Sequence, residues 1–543
     1  MHGLMQELPL DVATIVRHAQ RMHAGKTVTT RTAGGLVSAT FGQVIERGRR
    51  LMAALRALGV EPGQRVATFC WNHQQHLEAY VAVPCLGAVL HTLNIRLFEA
   101  DLAWIVEHAQ DRVVIVDRSL WPQWEKVAAR VGCVRTTIVV EDGTPGPLPA
   151  GALDYEQLLA GHAPLEELPR VAEGQAAAMC YTSGTTGHPK GVVYSHRSTW
   201  LHTSMLGTVD ALGLCERDVV LALVPMFHAN AWGLPYGCLM WGCDLVLPGR
   251  FMTSDALCEL LLARQVTLSA GVPTIWLGLL ELLQRERARL RLSRIFCAGS
   301  AVPPALQRSY QDLLGVPLIQ AWGMTETSPL VTFSRPLASH AALDPQALDA
   351  LLASQGRAAP GTELRIVQDD GREAPWDGRT PGEIQVRGNW IAGAYYQDPG
   401  SAERFAQGWL RTGDVATVDP QGYVRIADRT KDLVKSGGEW ISSVLLEGLI
   451  MGHPAVAEAA VVAVPHPRWS ERPLACVVLR PGAALTRDEV LEFLRPQVAR
   501  WWLPDDVVFI DQVPRTSVGK FDKKALRARY QGHLASGGAG HAP

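Results

Sequence analysis

The most restrictive feature of this sequence is a short segment, residues 181–191, that is rich in glycine and hydroxyl side chains. It reads Tyr-Thr-Ser-Gly-Thr-Thr-Gly-His-Pro-Lys-Gly. Glycine lets a backbone approach a polyanion closely and adopt a positive φ. Consecutive N–H groups, together with hydroxyls, can then surround phosphate oxygens, and a lysine adds a point charge. The composition predicts a phosphate-binding loop rather than a flexible polar turn, and its candidate contacts are Thr182, Ser183, Gly184, Thr185, Thr186, Gly187 and Lys190.

The segment differs from a Walker loop. That motif requires Gly-Lys-Ser/Thr in succession, followed by a helix. Here Pro189 separates Lys190 from Gly187 and biases His188 away from helical backbone angles. The sequence therefore disfavours a P-loop NTPase.

Composition excludes several classes of protein. Of the 543 residues 47% are apolar and 19% charged, as in a globular protein with a sizeable core. The formal net charge of −2 argues against a dedicated nucleic-acid-binding protein. No run reaches the roughly 18 apolar residues of a membrane span, and the N-terminus lacks the features of a secretory signal. Ten scattered cysteines without a Cys-x-x-Cys pair are typical of reduced thiols, so we expect a cytoplasmic protein.

Alternating helix and strand patterns predict an α/β fold. Apolar residues recur at helical spacing from Val44 to Leu58, and Gly59 ends the run. Residues 65–70 and 113–116 form short buried runs typical of strands. Helices that alternate with such strands favour a largely parallel sheet with covering helices.

The C-terminal part of the chain has a different pattern. A series of polar turns from Gly408 to Asp432 precedes it, after which 456–464 are typical of a strand and 489–494 of a helix. About 110 residues is a usual domain size. The sequence therefore predicts a small C-terminal α+β domain.

Several further segments carry a resemblance to a known family. They are Gln-Ala-Trp-Gly-Met-Thr-Glu-Thr at 320–327, Trp-Leu-Arg-Thr-Gly-Asp at 409–414, Asp-Arg-Thr-Lys-Asp at 428–432 and Pro-Arg-Thr-Ser-Val-Gly-Lys at 514–520. Together with 181–191, and in the same order, they resemble the motifs of the adenylate-forming superfamily of acyl-CoA synthetases, luciferases and peptide-synthetase adenylation domains. Val-Pro-Met-Phe-His-Ala-Asn-Ala-Trp-Gly at 224–233 and Lys-Ser-Gly-Gly-Glu-Trp-Ile-Ser at 435–442 are most similar to bacterial medium- and long-chain fatty-acid–CoA ligases.

The resemblance implies two domains. Residues 1–430 would form a large N-terminal domain that binds ATP and the acid, with sheets, covering helices and a β-barrel-like part. Residues 431–543 would form a small mobile domain that turns about a hinge near Lys431. Such hinge motions gate many enzymes.

The resemblance also implies a two-step reaction. A carboxylate attacks the α-phosphate of ATP to give an acyl adenylate and pyrophosphate, and the thiol of CoA then displaces AMP. The acid is ionised at neutral pH, so two anions must meet, and the site must supply positive charge and orientation. By resemblance Lys520 supplies that charge as the catalytic residue, although a lysine in this setting could also be a solvated surface charge.

Other nucleotide contacts follow from the resemblance. Glu326 and Thr182 would bind Mg²⁺, which prefers hard oxygen ligands shared with substrate phosphates. Trp322 would stack on adenine, where many relatives carry tyrosine, and Asp414 and Arg429 would bind the ribose hydroxyls. The ATP- and AMP-binding candidates outside the loop are Gly299, Gln320, Ala321, Trp322, Gly323, Thr325, Glu326, Asp414, Arg429, Lys431, Lys435 and Trp440.

The acid and CoA sites are also expectations from the resemblance. Trp232 would gate an acyl channel beside His228 and Ala229, and Ser436, Gly437 and Gly438 would shape the thiolation tunnel. Residues 227–232 contain no acidic side chain to pair an ammonium group, and a buried unpaired ammonium is costly, so an amino-acid substrate is disfavoured.

The expected function is thus an ATP-dependent acyl-CoA synthetase acting on a medium- or long-chain fatty acid, with Mg²⁺ as cofactor and ATP and CoA as co-substrates. A shorter thioether or aryl acid remains open, because sequence spacing does not give tunnel depth. An alternative that is not an enzyme is a nucleotide-binding module that catalyses no reaction, and the presence of Lys520 and Glu326 argues against it. Similarity to bacterial ligases also suggests a homodimer.

Overall fold

The computed structural model describes residues 1, 3–182, 188–429, 432–436, 439–515 and 521–534. A first large sheet in these ranges lies in the N-terminal part of the chain. Its neighbouring strands run parallel, and Gly191–Ser195 runs antiparallel to Ala176–Tyr181. Its spatial order is Leu153–Asp154, Thr136–Val140, Asp111–Asp117, Arg65–Phe69, Val89–Thr92, Ala176–Tyr181 and Gly191–Ser195.

A second large sheet is parallel in its middle and antiparallel at both edges. Its spatial order is Arg357–Ala358, Leu330–Phe333, Leu318–Gly323, Arg294–Cys297, Leu268–Gly271, Val219–Ala222, Asp244–Leu247, Thr27–Thr32 and Gly35–Thr40. The expected parallel sheets with covering helices are confirmed.

Helices cover both sheets. They are Val12–Met22, Phe41–Ala57, Gln74–Cys85, Glu99–Ala109, Trp121–Ala128, Tyr155–Ala160, His196–Leu206, Leu234–Trp241, Ser254–Ala263, Pro273–Arg285, Pro304–Leu314 and Pro345–Leu352. The short helix Ser401–Arg404 instead contacts the strands Phe405–Ala406 and Trp409–Val418. Short 3-10 turns are Arg118–Leu120, Ala229–Gly233, Arg287–Arg289, Thr325–Thr327 and Ala338–Ala342. None of the helices in the described ranges is long and apolar enough to cross a lipid bilayer.

The helix Phe41–Ala57 shows how local sequence sets these elements. Thr40 and Gln43 form a capping box, each side chain accepting from the backbone N–H of the other. Such a box satisfies two N–H groups that a helix start otherwise leaves unpaired. The buried residues of this helix recur at helical spacing and join an apolar core shared by both large sheets.

An antiparallel sheet stands apart from the large ones. It consists of Thr362–Val367, Gly382–Gly388, Trp409–Val418 and Phe405–Ala406, with Val424–Arg429 paired to Trp409–Val418. Its own apolar core includes Ile384, Val386 and Ala416. It corresponds to the β-barrel-like part expected from the resemblance.

The C-terminal part is a small α+β unit. Its sheet contains Glu439–Ile441, Val434–Ser436, Ser470–Leu479, Val456–His466 and Asp506–Phe509. Its helices are Ser443–Met451, Arg487–Leu494 and Lys523–Tyr530, with a 3-10 turn at Arg500–Trp502. The strand predicted at 456–464 and the helix predicted at 489–494 are both confirmed.

Candidate active site

A cleft of about 700 Å³ opens where the two large sheets and the antiparallel sheet meet. It collects predicted residues that lie up to two hundred and fifty positions apart in the sequence. Those lining it are Thr182, Lys190, His228, Ala229, Trp232, Gly299, Gly323, Thr325, Glu326 and Arg429. The candidates Ser183, Gly184, Thr185, Thr186, Gly187, Lys431, Gly437, Gly438 and Lys520 lie outside the described residues, as do the side chains of Lys435 and Trp440.

The two ends of the predicted phosphate loop are held together by hydrogen bonds. The Thr182 N–H donates to the Lys190 carbonyl at 2.9 Å, and the Lys190 N–H donates to Thr182 Oγ1 at 3.2 Å. The Lys190 ammonium forms an ion pair with Asp398, 2.6 Å from Oδ2. The hydrogen bond from Lys190 lowers the pKa of Asp398. The loop lysine therefore already faces a carboxylate at the cleft.

Glu326 lies on the 3-10 turn Thr325–Thr327 and is 4% exposed. The Tyr395 hydroxyl donates to Glu326 Oε1 at 2.6 Å, and the Ala392 N–H donates to the Glu326 carbonyl at 2.8 Å. Burial, and then the charge of Glu326, raise the pKa of Tyr395, so this phenol stays protonated and can donate. Tyr395 thus fixes the orientation of the carboxylate.

The oxygen-bearing side chains at this part of the cleft are suitable ligands for Mg²⁺. Glu326, which carries a carboxylate, and Thr182, which carries a hydroxyl, both line the cleft. Mg²⁺ usually takes one or two protein carboxylates and completes its shell with water and substrate phosphates. The residues present therefore fit this ion.

Trp322 and Arg429 both bind Asp414. The Trp322 Nε1–H donates to Asp414 Oδ2 at 2.9 Å, and Arg429 Nε lies 3.1 Å from Asp414 Oδ1. Asp414 is 5% exposed. The Trp322 N–H therefore orients the carboxylate of Asp414, a contact that is separate from the adenine stacking that the resemblance predicts for the ring.

We expect Trp322→Phe to raise the KM for ATP by about 10-fold to 100-fold, since hydrogen bonds to charged groups contribute about 1.5–3 kcal/mol. The ring face is retained while the N–H is lost, so the KM for the acid should stay within two-fold. Steady-state kinetics with each substrate varied would measure both constants. Trp376→Phe, at a tryptophan that is 45% exposed, is the matched control. An unchanged KM for ATP would contradict this role.

The other residues of the 320–327 motif lie on or just after the strand Leu318–Gly323. Gln320 accepts a hydrogen bond from the Val302 N–H at 2.9 Å, and Ala321 pairs with Phe333. Gly323 must be glycine, because an added Cβ would lie 1.6 Å from the Pro329 carbonyl oxygen. Of the predicted nucleotide contacts, Gln320, Ala321, Trp322 and Asp414 are not among the described residues that line the cleft.

The predicted acid end of the cleft is apolar. Trp232 is 5% exposed and lies on the turn Ala229–Gly233. Gly299 has φ +89°, and an added Cβ there would lie 3.2 Å from Val272 Cγ1 and 4.0 Å from Trp232 Cζ2. Apolar side chains that line the same cleft are Leu223, Val224, Phe227, Met252, Val272 and Ile275.

Comparison with known protein families matches both parts of the chain. Residues 16–396 match the AMP-binding enzyme family, and residues 445–520 match the AMP-binding enzyme C-terminal domain. The chain belongs to the AMP-binding enzyme family.

Relatives of this AMP-binding enzyme cover nearly its whole length. The 3-methylmercaptopropionyl-CoA ligase of Ruegeria lacuscaerulensis is 43% identical over 98% of this chain and 100% of that protein. The long-chain-fatty-acid–CoA ligase of Thermus thermophilus is 45% identical over 98% of both chains. A crystal structure of an anthranilate CoA ligase in complex with anthranoyl-AMP has a TM-score of 0.87 and 26% identity, over 97% of this chain and 99% of that one. The prediction of an AMP-forming acid–thiol ligase is confirmed.

In this AMP-binding enzyme, Asp428, on the strand Val424–Arg429, forms hydrogen bonds with Ser443 at the start of the helix Ser443–Met451. The Ser443 N–H donates to Asp428 Oδ2 at 2.7 Å, and the Ser443 hydroxyl also bonds this carboxylate. Ser436, expected near the thiolation tunnel, is 6% exposed and accepts from Arg472 Nη1 at 3.0 Å. The Ser436 hydroxyl thus bonds within the small domain.

Sequence reasoning missed some cleft residues. Tyr395, Asp398 and Arg404 line the cleft from the segment before Trp409–Val418. Arg96 also lines it, 5.8 Å from the centre of the Phe227 ring, and burial lowers its pKa. The only sequence feature that could have drawn attention to this segment is the adjacent pair Tyr395 and Tyr396. Two aromatic residues in a loop, however, indicate no particular chemistry.

Proposed function

We propose that this AMP-forming acyl-CoA ligase activates a medium- or long-chain fatty acid. The observation that carries the proposal is that Lys190 and Glu326 line the same cleft as an apolar wall that includes Trp232. Polar groups suited to ATP and apolar groups suited to an alkyl chain thus share one cavity. The fatty-acid ligase relative from Thermus thermophilus supports the same substrate class.

In the first half-reaction, the chain's task is to bring two anions together. Lys190 would exchange Asp398 for an ATP phosphate, while Asp414 and Arg429 would orient the ribose. Glu326 and Thr182 would hold Mg²⁺, which supplies positive charge beside the phosphates. Lys520 would provide the second cation at the acid and the α-phosphate. Positioning and electrostatic stabilisation then account for most of the catalysis.

In the second half-reaction, the small domain would turn. We propose a division at residues 430 and 431, with Lys431 as the hinge and Ser436, Gly437 and Gly438 at the thiolation tunnel. Rotation would remove Lys520 after adenylate formation and admit the CoA thiol. Hinges of this kind involve few residues that absorb large changes in φ and ψ.

An acid-dependent ATP–pyrophosphate exchange assay tests the substrate class. We expect exchange to be fastest with straight-chain acids of six to sixteen carbons, because an alkyl chain gains free energy for each methylene buried against the apolar wall. No exchange with any acid in that range would overturn the proposal. ATP binding without acid-dependent AMP release would instead indicate a nucleotide-binding module.

A second candidate substrate is a short thioether acid. The 43% identity to a 3-methylmercaptopropionyl-CoA ligase favours it. A thioether replaces a methylene with a sulfur atom that is also weakly polar. Exchange that is faster with 3-methylthiopropionate than with octanoate would favour this candidate, whereas an aryl preference would show as faster exchange with benzoate.

We also propose a cytoplasmic homodimer: the scattered cysteines support the location, and the similarity to bacterial ligases supports the dimer. Light scattering coupled to size exclusion should give twice the mass of the chain. The mass of a single chain would contradict the dimer.

A further inference from the structure

The backbone beside the acid end of the cleft is left-handed over five successive residues. Ala229, Asn230, Ala231, Trp232 and Gly233 have φ values of 43°, 51°, 51°, 55° and 79°. This conformation costs roughly 1–2 kcal/mol for most L-residues, and asparagine is among the few that tolerate it. Strained backbone persists only where its surroundings determine it fully, and it clusters at functional sites. Contacts in the turn and on either side of it must therefore hold this conformation.

Asn230 supplies a contact at the turn itself. It is 7% exposed, and its Oδ1 accepts a hydrogen bond from Cys180 Sγ at 3.2 Å. Cys180 is buried on the strand Ala176–Tyr181, and Thr92 Oγ1 lies 3.2 Å from the same sulfur. Burial raises the pKa of Cys180, so the thiol keeps the proton that it donates. Because Thr182 follows two positions later, this bond links the turn to the start of the predicted phosphate loop.

Other contacts fix the chain on either side of the turn. Asn72 accepts from the Met226 N–H at 2.7 Å and donates to the Val224 carbonyl at 2.8 Å. At the other end, an added Cβ at Gly233 would lie 2.9 Å from His202 Nδ1, so glycine is required. Between these two ends, the turn is held by the bond from Cys180 to Asn230 and by the Ala231 N–H, which donates to the His228 carbonyl at 3.1 Å.

We propose that Asn230 is a positioning residue that acts through Trp232. By holding the left-handed turn against Cys180, it places the indole against the cleft wall near Gly299 and Val272, and so sets the acid that the cavity accepts. This inference rests on the proposed function, because it takes Trp232 to contact the acid. It adds a residue and a hydrogen bond that specify acid selectivity without touching the acid.

The test compares Asn230→Ala, Trp232→Ala and the double variant in the full chain. We expect Asn230→Ala to raise the KM for the preferred acid about 10-fold, the size expected for loss of a buried hydrogen bond with some strain released, and to shift the chain-length profile toward that of Trp232→Ala. The KM for ATP should remain within two-fold. If Asn230 acts through Trp232, the double variant should show the acid profile of Trp232→Ala alone.

Matched variants separate positioning from general damage. Cys180→Ser keeps a donor and should retain the acid profile, whereas Cys180→Ala should behave like Asn230→Ala. Asn389→Ala, at an exposed asparagine, is the control. Should Asn230→Ala fail to fold, Cys180→Ala removes the same hydrogen bond from the other partner and the comparison proceeds with it.

The acid profiles and KM values of these variants test the role of Asn230 separately from the proposed function. An unchanged acid profile in Asn230→Ala or Cys180→Ala, with a changed profile in Trp232→Ala, would overturn the positioning role and leave the function intact. Equal rises in the KM for ATP and for the acid would also overturn it, because a general structural defect would then suffice. Absence of acid-dependent exchange in the unmodified enzyme would overturn the proposed function itself.

Discussion

Lys520→Ala should slow acid-dependent ATP–pyrophosphate exchange by about 10³-fold, while transfer of the acyl group from preformed adenylate to CoA stays within about five-fold. The physical reason is the meeting of an ionised carboxylate with the α-phosphate. Removing one preorganised group that stabilises developing charge commonly costs 10²-fold to 10³-fold. The thiolation step starts from an adenylate in which the carboxylate charge is already absent, so it does not need this cation.

Rapid-quench measurement of each half-reaction would check this division of labour. Lys524→Ala is the matched control, because Lys524 is an exposed lysine four positions away. We expect the control to retain both half-reactions. Equal losses in both half-reactions of Lys520→Ala would contradict the assignment of Lys520 to adenylation.

Lys523→Ala should destabilise the C-terminal domain by about 3–5 kcal/mol, the usual cost of removing one partner from a buried ion pair. The Lys523 ammonium lies 2.7 Å from Glu447 Oε1 and donates to Ser443 Oγ at 2.5 Å. Burial opposes its charge, but Glu447 and Asp428 outweigh burial and raise the pKa of Lys523. Without this ammonium, the carboxyl groups of Glu447 and Asp428 would both lose the positive charge that lowers their pKa values against burial.

Hydrogen–deuterium exchange over the helices Ser443–Met451 and Lys523–Tyr530 would measure the loss locally. Faster exchange there in Lys523→Ala, with little change in Lys524→Ala, is the expected result. Exchange as slow as in the unmodified enzyme would show that the buried pair contributes little net stability, since desolvation can cancel the attraction.

The same pair predicts a pH dependence of stability. Burial raises the pKa of Glu447 from 4.5 to about 7. A carboxyl whose pKa is higher in the folded state contributes stability below pH 4.5 and loses it as pH rises to about 7. The unmodified enzyme should therefore lose local stability relative to Glu447→Gln across this window, measured by the same exchange experiment. A difference that does not change with pH would contradict it.

Regular patterns and motif spacing predicted much of the architecture. The apolar spacing in 44–58 identified the helix Phe41–Ala57, and the runs at 65–70 and 113–116 identified strands of the first large sheet. The motif residues Thr182, Lys190 and Glu326 line one cleft. Such features depend on local sequence and can therefore be predicted without knowledge of the tertiary structure.

Features set by tertiary contacts could not be predicted. Ala229 and Ala231 are residues that favour right-handed helix, yet contacts from Asn72, Cys180 and His202 select a left-handed turn. Likewise, Tyr395 donates a hydrogen bond to Glu326, which lies sixty-nine positions away, and no periodic pattern in the sequence indicates this contact.

Tertiary contacts also distinguish the adjacent residues Lys523 and Lys524. They are identical in sequence, but Lys523 is ion-paired with Glu447 and Lys524 is exposed. Only the packing of the helix Lys523–Tyr530 against the strand Val456–His466 and its neighbours distinguishes them.

The central claim is that an acid is joined to AMP before it reaches CoA. An acid labelled with oxygen-18 in both carboxylate oxygens, turned over with ATP and CoA, tests it most directly by mass spectrometry of the released AMP. Attack of the carboxylate on the α-phosphate predicts one labelled oxygen in AMP and one in the thioester carbonyl. Release of unlabelled AMP together with labelled pyrophosphate, or release of ADP together with labelled phosphate, would contradict the account.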